Sequence, residues 1–404
     1  SNDADVVFVN TCSIREHAEQ RVRKRLRELA SLKKKNTFVK IGVLGCMAES
    51  LKQHLIEDEN AVDLIAGPDA YRDLPALLDR AEVGEKAINV ILSTKETYSD
   101  ITPVRLDKNG ITAFISIMRG CENFCSYCVV PFTRGKERSR EPQTILHEAR
   151  DLFAKGYREV TLLGQNVNSY YWEDNGQETS FHELLAMVAD VNPQLRVRFA
   201  TSHPKDISDE LLKTIGEHHN ICNAIHLPFQ SGSNNMLKLM NRKYSREWYL
   251  DRIAAIKKYI PNCAISTDII VGFCQESEQD HQATISIMKE VNFDYAFMFK
   301  YSERPNTIAQ KKYEDDVPEE IKSARLQEII NLQQQLSHES NKRDVGKTFE
   351  VLVEGFSKKS DDFLMGRNSQ NKVVVFPREN YQKGDYVQVK INDCTPATLL
   401  GTAS

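Results

Sequence analysis

Three cysteines stand close together in the chain, and their spacing is the clearest chemical signal in the sequence. Residues 120–128 read GCENFCSYC, which places Cys121, Cys125 and Cys128 in the pattern C-x-x-x-C-x-x-C. Zinc sites usually combine two C-x-x-C pairs, and the sequence contains no second pair. Three neighbouring thiolates instead suit a 4Fe-4S cluster in which one iron keeps an open position for an outside molecule. The spacing predicts a reactive iron–sulfur cluster, with a structural group of reduced cysteines as the alternative.

Two further cysteines each follow a short apolar run near the start of the chain. Cys12 comes after the run at residues 5–10, and Cys46 comes after the run at residues 38–44. If these runs are neighbouring parallel strands, both side chains leave the same edge of one sheet and can converge. The residues alone leave two interpretations open, because a pair of thiols can bind a metal or simply pack as small apolar groups.

Composition limits the classes of protein that this chain can be. Its 404 residues predict two to four domains. A content of 41% hydrophobic and 27% charged residues is typical of a globular protein and excludes disorder or a coiled coil for the chain as a whole. The net charge of -4 means that an anionic partner must meet a local basic patch. No apolar run is long enough to span a membrane, and an odd number of cysteines favours a reducing, cytoplasmic location.

The first part of the chain alternates between strand-like and helix-like patterns. Strands are predicted at residues 5–10, 38–44 and 62–66, with helices between and after them. This order indicates a small Rossmann-like open α/β sheet over residues 1–80. Residues 81–110 lack clear periodicity and are predicted to form a linker.

The central part of the chain repeats a strand–helix unit. Six strands are predicted, at residues 113–118, 159–164, 196–200, 224–228, 264–272 and 294–300. Their regular spacing predicts a partial, TIM-like (β/α)6 barrel within residues 111–341. Residues 120–128, which contain the three close cysteines and are called the three-cysteine loop below, directly follow the first of these strands. They lie at the end of the strand where such barrels carry their chemistry.

The last part of the chain, residues 342–404, has short alternating strands separated by turns. This pattern predicts a small antiparallel β-barrel, and the segment is slightly basic. If it is an independent module, deleting it should weaken RNA binding and spare the chemistry of the central domain. Two other basic stretches are candidate RNA contacts or simply solvated faces: the predicted helix at residues 21–36, and the group Arg134, Lys136, Arg138 and Arg140.

The cysteine pattern, with an aromatic residue before its last cysteine, resembles the signature of radical S-adenosylmethionine (SAM) enzymes. Further motifs resemble the methylthiotransferase family within that group: NTCSIRE at 10–16, GCMA at 45–48, CVVPFTRG at 128–135, LGQNVN at 163–168, TSHP at 201–204 and LPFQSGS at 227–233. The resemblance covers essentially the whole chain. It implies that Cys121, Cys125 and Cys128 hold the catalytic 4Fe-4S cluster, that Tyr127 lies against the adenine of SAM, and that one electron cleaves SAM to a 5′-deoxyadenosyl radical.

The resemblance also implies a second 4Fe-4S cluster. Its ligands include Cys12 and Cys46, and in the family a third cysteine precedes both of them, upstream of Ser1 here. Candidate SAM or substrate contacts are Gly164, Gln165, Asn166, Gln230, Ser231 and Asp268. For these residues a simple turn or a buried polar network is the alternative. His203 is either a structural residue or a general base.

The function that the resemblance implies is insertion of a methylthio group at carbon 2 of N6-dimethylallyladenosine next to the anticodon of tRNA. The alternatives are the same reaction on threonylcarbamoyl-adenosine in tRNA or on an aspartate of a ribosomal protein, and a non-catalytic iron–sulfur RNA-binding module. The terminal barrel resembles the RNA-binding TRAM domain. The expected partners are tRNA and an electron donor such as flavodoxin, and the expected state is a monomer.

Two turns depart from the family pattern. Residues 272–276 read GFCQE where the family usually has G-F-P-G-E, and residues 304–307 read RPNT where it usually has R-P-G-T. Each departure replaces a glycine, at Gln275 and at Asn306, so the conformation of these two turns is in question.

Overall fold

The computed structural model describes residues 4–12, 16–101, 105 and 110–404. The chain forms two compact units. The first consists of Ser1–Glu96, Arg119–Arg138 and Ser302–Tyr313, and the second consists of Thr97–Met118, Ser139–Tyr301 and Glu314–Ser404. The loop that carries the three close cysteines therefore belongs to the same unit as Cys12 and Cys46.

The first unit is built on a parallel sheet of four strands in the order β1-β2-β3-β4. Its elements are β1 (Val6–Thr11), α1 (Glu16–Lys35), β2 (Lys40–Gly45), α2 (Cys46–Leu51), α3 (Gln53–Asp58), β3 (Leu64–Ala66), α4 (Leu74–Glu82) and β4 (Ala87–Asn89). The predicted open α/β sheet is confirmed. The sequence missed β4, which lies within residues 81–110, because three residues are too short to show a periodic pattern.

The central elements follow in regular alternation. They are β5 (Thr112–Ser116), β6 (Met118–Arg119), α5 (Val130–Arg134), β7 (Arg138–Ser139), α6 (Pro142–Ala154), β8 (Glu159–Leu163), β9 (Tyr171–Asp174), β10 (Gln177–Ser180), α7 (Phe181–Ala189), β11 (Arg196–Ala200), α8 (Asp209–Glu217), β12 (Ala224–His226), α9 (Asn234–Leu239), α10 (Arg246–Tyr259), β13 (Ala264–Val271), α11 (Glu278–Val291) and β14 (Tyr295–Lys300). All six predicted strands are present, as β5, β8, β11, β12, β13 and β14. The β9–β10 hairpin was not predicted.

These six strands form an incomplete parallel barrel. One sheet has the order β11-β8-β5 and the other β12-β13-β14, and a bridge between Val197 and Ile221 lies where they meet. Alternate residues such as Ile115, Leu162 and Ile269 are fully buried in the core against the helices. The residues between them point the other way, so Phe114 on the first strand is 63% exposed. The barrel interior is therefore open beside its two edge strands, β5 and β14.

The chain continues through α12 (Ile308–Lys312) and α13 (Glu319–Lys342) into a closed five-stranded barrel. Its strands are β15 (Thr348–Ser357), β16 (Ser360–Arg367), β17 (Val373–Pro377), β18 (Tyr386–Cys394) and β19 (Leu399–Ala403). The order around the barrel is β15-β16-β17-β19-β18. All pairings are antiparallel except the β17–β19 pair, which is parallel. The sequence predicted the barrel but missed β19.

The terminal barrel is joined to the N-terminal ends of the central strands by buried polar contacts. Arg198 on β11 donates to the carbonyl oxygens of Asn368 (2.8 Å) and Ser369 (3.1 Å), and it also pairs with Glu159 at 2.9 Å. Arg196 donates to the carbonyl oxygen of Arg367 at 2.8 Å. Both arginines are buried. That residues 342–404 form a separable module stays a prediction, and deleting them would also remove the acceptors of two buried guanidinium groups.

None of the helices in the described ranges is both long and apolar enough to span a membrane.

Candidate active site

The three-cysteine loop is closed at its base by its own backbone. The amide of Cys121 donates to the carbonyl oxygen of Gly135 at 3.2 Å. Gly120 has a φ of 81°, and a Cβ there would collide with the carbonyl oxygen of Lys136. Only glycine fits this close approach, which brings the two ends of the loop together between β6 and β7.

The loop presents three cysteines that form no disulfide bond. Cys125 is buried, while Cys121 and Cys128 are partly exposed, as is Tyr127. Nδ2 of Asn123 lies 3.5 Å from Sγ of Cys121, and the amide of Val130 lies 3.5 Å from Sγ of Cys128. N–H groups aimed at sulfur stabilise a cluster-bound thiolate. Burial raises the pKa of the Cys121 thiol, so its ionised form needs a cation such as iron beside it.

This donor set suits a cluster better than a single ion. Within residues 4–12, 16–101, 105 and 110–404, no three His, Cys, Asp or Glu side chains surround one position for a metal ion. The thiolates of a 4Fe-4S cluster bind different irons, so they need not converge on one point. Three cysteines outside any disulfide in one tight loop, two of them facing N–H donors, fit such a cluster.

Cys12 and Cys46 follow paired positions of neighbouring parallel strands. Thr11 at the end of β1 pairs with Gly45 at the end of β2, and the cysteines are the next residues. Gly45 has a φ of 94°, and a Cβ there would lie 2.6 Å from the carbonyl oxygen of Thr11. Cys12 is exposed and Cys46 is buried. The two thiols thus leave the same edge of the sheet, as the sequence predicted.

Arginines beside the three-cysteine loop face inward. Nε of Arg134 donates to Sγ of Cys46 at 3.1 Å. Asp69, in the loop after β3, pairs with Arg138 at 2.7 Å and with Arg119 at 3.2 Å. The carboxylate of Asp69 therefore connects the two ends of the segment that carries Cys121, Cys125 and Cys128.

The predicted basic patch after this loop is consequently wrong. Arg134 and Arg138 make the internal contacts just described, and Arg140 pairs with Glu148 in a buried position. Of the four basic residues in the patch, only Lys136 is exposed. Charge along a sequence shows the cations but not the distant carboxylates that neutralise them.

In the second unit, unsatisfied polar atoms gather at the C-terminal ends of consecutive strands. Asn166, after β8, donates to Asp206 at 2.7 Å, but its Oδ1 is buried without a hydrogen-bond partner in the described part of the chain. The same holds there for Oγ of Ser202, after β11, and for Oε1 of Gln230, after β12. Because a buried polar atom without a partner is costly, these atoms indicate a ligand rich in N–H and O–H groups.

The other predicted contacts of this unit differ in their surroundings. A Cβ on Gly164 would collide with the Met118 side chain, so glycine is required for packing; Gln165 is partly exposed. Ser231 is buried, and its hydroxyl already contacts Thr284 at 3.3 Å. Asp268 lies on β13, with Oδ1 at 3.4 Å from Nε2 of His226. Ser202 was missed as a site residue, and its only signal in the sequence was its place after the third strand.

His203 is structural rather than a base. Its Nδ1 accepts a hydrogen bond from the amide of Lys205 at 3.2 Å, and its ring packs edge-on against Tyr244. Burial, with help from the nearby charge of Arg242, holds the pKa of His203 well below its usual range. The ring therefore stays neutral and uses its lone pair on the backbone.

The two turns that depart from the family pattern keep a conformation suited to glycine. Gln275 has a φ of 66° and Asn306 a φ of 67°. Both values lie in the left-handed region, which asparagine tolerates better than glutamine does.

Comparison with protein families and solved structures gives the class of the protein. The model described as "Radical SAM superfamily" matches residues 115–287, "TRAM domain" matches 342–403, and "Uncharacterized protein family UPF0004" matches 1–67. A similar solved structure is the radical SAM methyltransferase TsrM from Kitasatospora setae. It has a TM-score of 0.55 at 13% identity and covers 72% of this chain and 61% of its own, which shows the shared fold.

Comparison with curated proteins identifies the family to which the chain belongs within the radical SAM enzymes. The chain is 58% identical over 410 residues to the tRNA-2-methylthio-N(6)-dimethylallyladenosine synthase of Amoebophilus asiaticus, covering 98% of this chain and 84% of the relative. It is 59% identical over 400 residues to the synthase of the same name from Bacteroides thetaiotaomicron, covering 99% and 88%. The chain belongs to this family of synthases within the radical SAM enzymes.

Proposed function

We propose that this protein inserts a methylthio group at carbon 2 of N6-dimethylallyladenosine next to the anticodon of tRNA. The observation that carries the proposal is the 58% identity over 98% of the chain to a synthase of that name, with all three motif cysteines of the loop present and outside any disulfide. The relatives at this level of identity favour this substrate over threonylcarbamoyl-adenosine and over a ribosomal protein aspartate.

Two groups of cysteines hold the iron. Cys121, Cys125 and Cys128 are the ligands of one 4Fe-4S cluster, which when bound supplies the electron that cleaves SAM. Cys12 and Cys46 contribute to a second cluster. The chain supports both sites with N–H donors to sulfur, from Asn123 and Val130 in one and from Arg134 in the other.

SAM is bound through buried oxygen atoms at the strand ends that have no hydrogen-bond partner in the described part of the chain. Oδ1 of Asn166, Oε1 of Gln230 and Oγ of Ser202 lack partners within the described residues, and the amino and hydroxyl groups of SAM supply suitable donors. Gly164 and Gln165 form the turn before Asn166, and Asp268 faces the barrel interior. For Tyr127 the contact with adenine that the family resemblance implies stays a prediction. Ser231 supports this end of β12 from within its internal hydrogen-bond network.

The RNA is held by the terminal barrel and by one face of α1. On α1, Arg23 and Lys33 form ion pairs with acidic neighbours. The exposed cations of this helix include Arg21, Lys24, Arg27 and Lys34. They lie on the side away from the buried Leu26 and Leu29, so they can meet backbone phosphates. The proposed partners are tRNA and an electron donor such as flavodoxin, with the protein acting as a cytoplasmic monomer.

The test is mass spectrometry of nucleosides from tRNA that carries dimethylallyladenosine. The reconstituted whole protein is incubated with this tRNA, dithionite and SAM, and with a matched Cys121→Ala variant as the control. The expected product is 2-methylthio-N6-dimethylallyladenosine, together with 5′-deoxyadenosine, and neither should form with the variant. Formation of 5′-deoxyadenosine without methylthiolation of this tRNA would redirect the search to the other two substrates. Absence of 5′-deoxyadenosine would support a non-catalytic RNA-binding module.

A further inference from the structure

Arg134 is placed to act on the cluster site at Cys46. Its Nε lies 3.1 Å from Sγ of Cys46, a distance typical of an N–H···S hydrogen bond. Arg134 is the last residue of α5, the short helix that follows the three-cysteine loop. Its guanidinium group is always protonated, so it presents a permanent positive charge to this sulfur.

The position of Arg134 is fixed by two other residues of the same unit. Nη2 of Arg138 donates to the carbonyl oxygen of Arg134 at 2.9 Å. Nη1 of Arg138 donates in turn to Asp69 at 2.7 Å, and the Asp69 side chain is 0% exposed. A charge that is anchored before the cluster binds needs little rearrangement to interact with it.

The local charge favours an electron-rich partner. Arg119, Arg134 and Arg138 carry three positive charges, and Asp69 returns one negative charge, which leaves +2 among these four groups. A 4Fe-4S cluster bound by thiolates gains a further negative charge when it is reduced. Hydrogen bonds to the sulfurs and nearby charge are the main means by which proteins set cluster potentials.

We propose that Arg134 raises the reduction potential of the iron–sulfur cluster bound at Cys46, with Arg138 and Asp69 as positioning residues. This inference rests on the proposed function, because it assumes that Cys46 is a cluster ligand. The electron is taken up by the cluster from an external reductant such as dithionite, and no other bond changes. Arg134 thereby makes the second cluster easier to reduce without being part of its ligand set.

The test is a redox titration followed by electron paramagnetic resonance. It uses the whole protein with Cys121, Cys125 and Cys128 replaced by alanine, so that only the Cys46 site takes up a cluster. In this background Arg134→Met removes both the donor and the charge, whereas Arg134→Lys keeps the charge. Lys136→Met is the matched control, since it removes one exposed positive charge two residues away.

The expected result for Arg134→Met is a more negative midpoint potential. At a fixed potential the ratio of reduced to oxidised cluster should fall about ten-fold, which equals about 59 mV for a one-electron couple. Arg134→Lys should give a smaller shift in the same direction, and Lys136→Met should leave the ratio within about two-fold, because solvent screens its charge.

An unchanged midpoint in a loaded Arg134→Met protein, or an equal shift in Lys136→Met, would overturn the inference. If Arg134→Met takes up no iron, the midpoint of Arg134→Lys decides in its place. If the background variant itself takes up no cluster, or keeps it after Cys46→Ala, then the proposed second cluster site is wrong. Failure of the inference about Arg134 is thus distinguishable from failure of the proposed second cluster site.

Discussion

Asp69 and Arg138 form an ion pair with a separation of 2.7 Å between side chains that are 0% and 4% exposed. Asp69 belongs to the loop after β3, and Arg138 lies on β7, beyond the three-cysteine loop and α5. The same carboxylate pairs with Arg119 at the start of that loop. A single buried acid therefore fixes both ends of the segment that carries the three close thiols to the sheet that carries Cys12 and Cys46.

Replacing Asp69 should strongly destabilise the first unit. Asp69→Ala leaves the buried Arg138 and the partly buried Arg119 without their common partner, and breaking a buried pair typically costs about 3–5 kcal/mol. Urea unfolding followed by circular dichroism measures the loss. Asp58→Ala is the control, because Asp58 is 55% exposed where it meets Arg23 and should matter by less than about 1 kcal/mol. Equal effects of the two variants would contradict the role given to Asp69.

Cys12→Ala and Cys46→Ala should separate SAM cleavage from sulfur insertion. Each variant keeps Cys121, Cys125 and Cys128, so 5′-deoxyadenosine should still form while methylthiolated tRNA does not. Iron analysis of the reconstituted whole protein should show the loss of about one cluster of two. Full iron content with unchanged methylthiolation would refute the second cluster.

Gln230→Leu should weaken SAM binding. The variant removes the buried Oε1 that has no partner in the described part of the chain, so a ligand N–H or O–H loses its acceptor. Such a loss costs about 1–3 kcal/mol, which corresponds to a rise of about 5-fold to 150-fold in the dissociation constant. Isothermal titration with SAM on the loaded protein measures it. A rise of less than about two-fold would show that Gln230 faces no ligand.

Gln275→Gly should stabilise the second unit. Glycine removes the cost of about 1–2 kcal/mol for a side chain in the left-handed region, although it also adds entropy to the unfolded chain. The backbone bond from Gln275 to Asp316 at 2.7 Å does not involve the side chain and is kept. Asn306→Gly is the comparison and should gain less, because asparagine tolerates this conformation. Thermal unfolding measures the increase in stability of both variants. A greater increase for Asn306→Gly than for Gln275→Gly would contradict this expectation.

Arg198→Leu should lower the stability of both the central domain and the terminal barrel in one transition. The substitution removes the donor to Asn368 and Ser369 and leaves Glu159 buried without its cation. We expect a loss of about 3–5 kcal/mol in urea unfolding. Independent unfolding of residues 342–404, seen as a separate transition in the unsubstituted protein, would show that the two parts are not coupled.

Features with local causes were predictable from the sequence. The six central strands follow from runs of apolar residues at regular spacing, and the cysteine loop from its pattern alone. The strands β4 and β19 were not predicted: β4 has only three residues and β19 contains a glycine in its middle, so neither shows a clear periodic pattern. The internal contacts of Arg134 and Arg138 were not predicted for another reason. Their partners, Cys46 and Asp69, lie far away in the sequence. A one-dimensional pattern records a charge but not what neutralises it.

The contacts beneath β11 have a consequence for how the protein matures. Arg196 and Arg198 find their acceptors in residues 367–369, which the ribosome makes 170–171 residues later. Before these residues are made, the two guanidinium groups therefore face water. The N-terminal ends of the central strands are not yet covered by the terminal barrel. The buried contacts at the N-terminal end of β11 can therefore form only after residues 367–369 of the terminal barrel have been translated. A nascent chain that stalls before residue 367 would carry the central strands but leave both arginines without these acceptors.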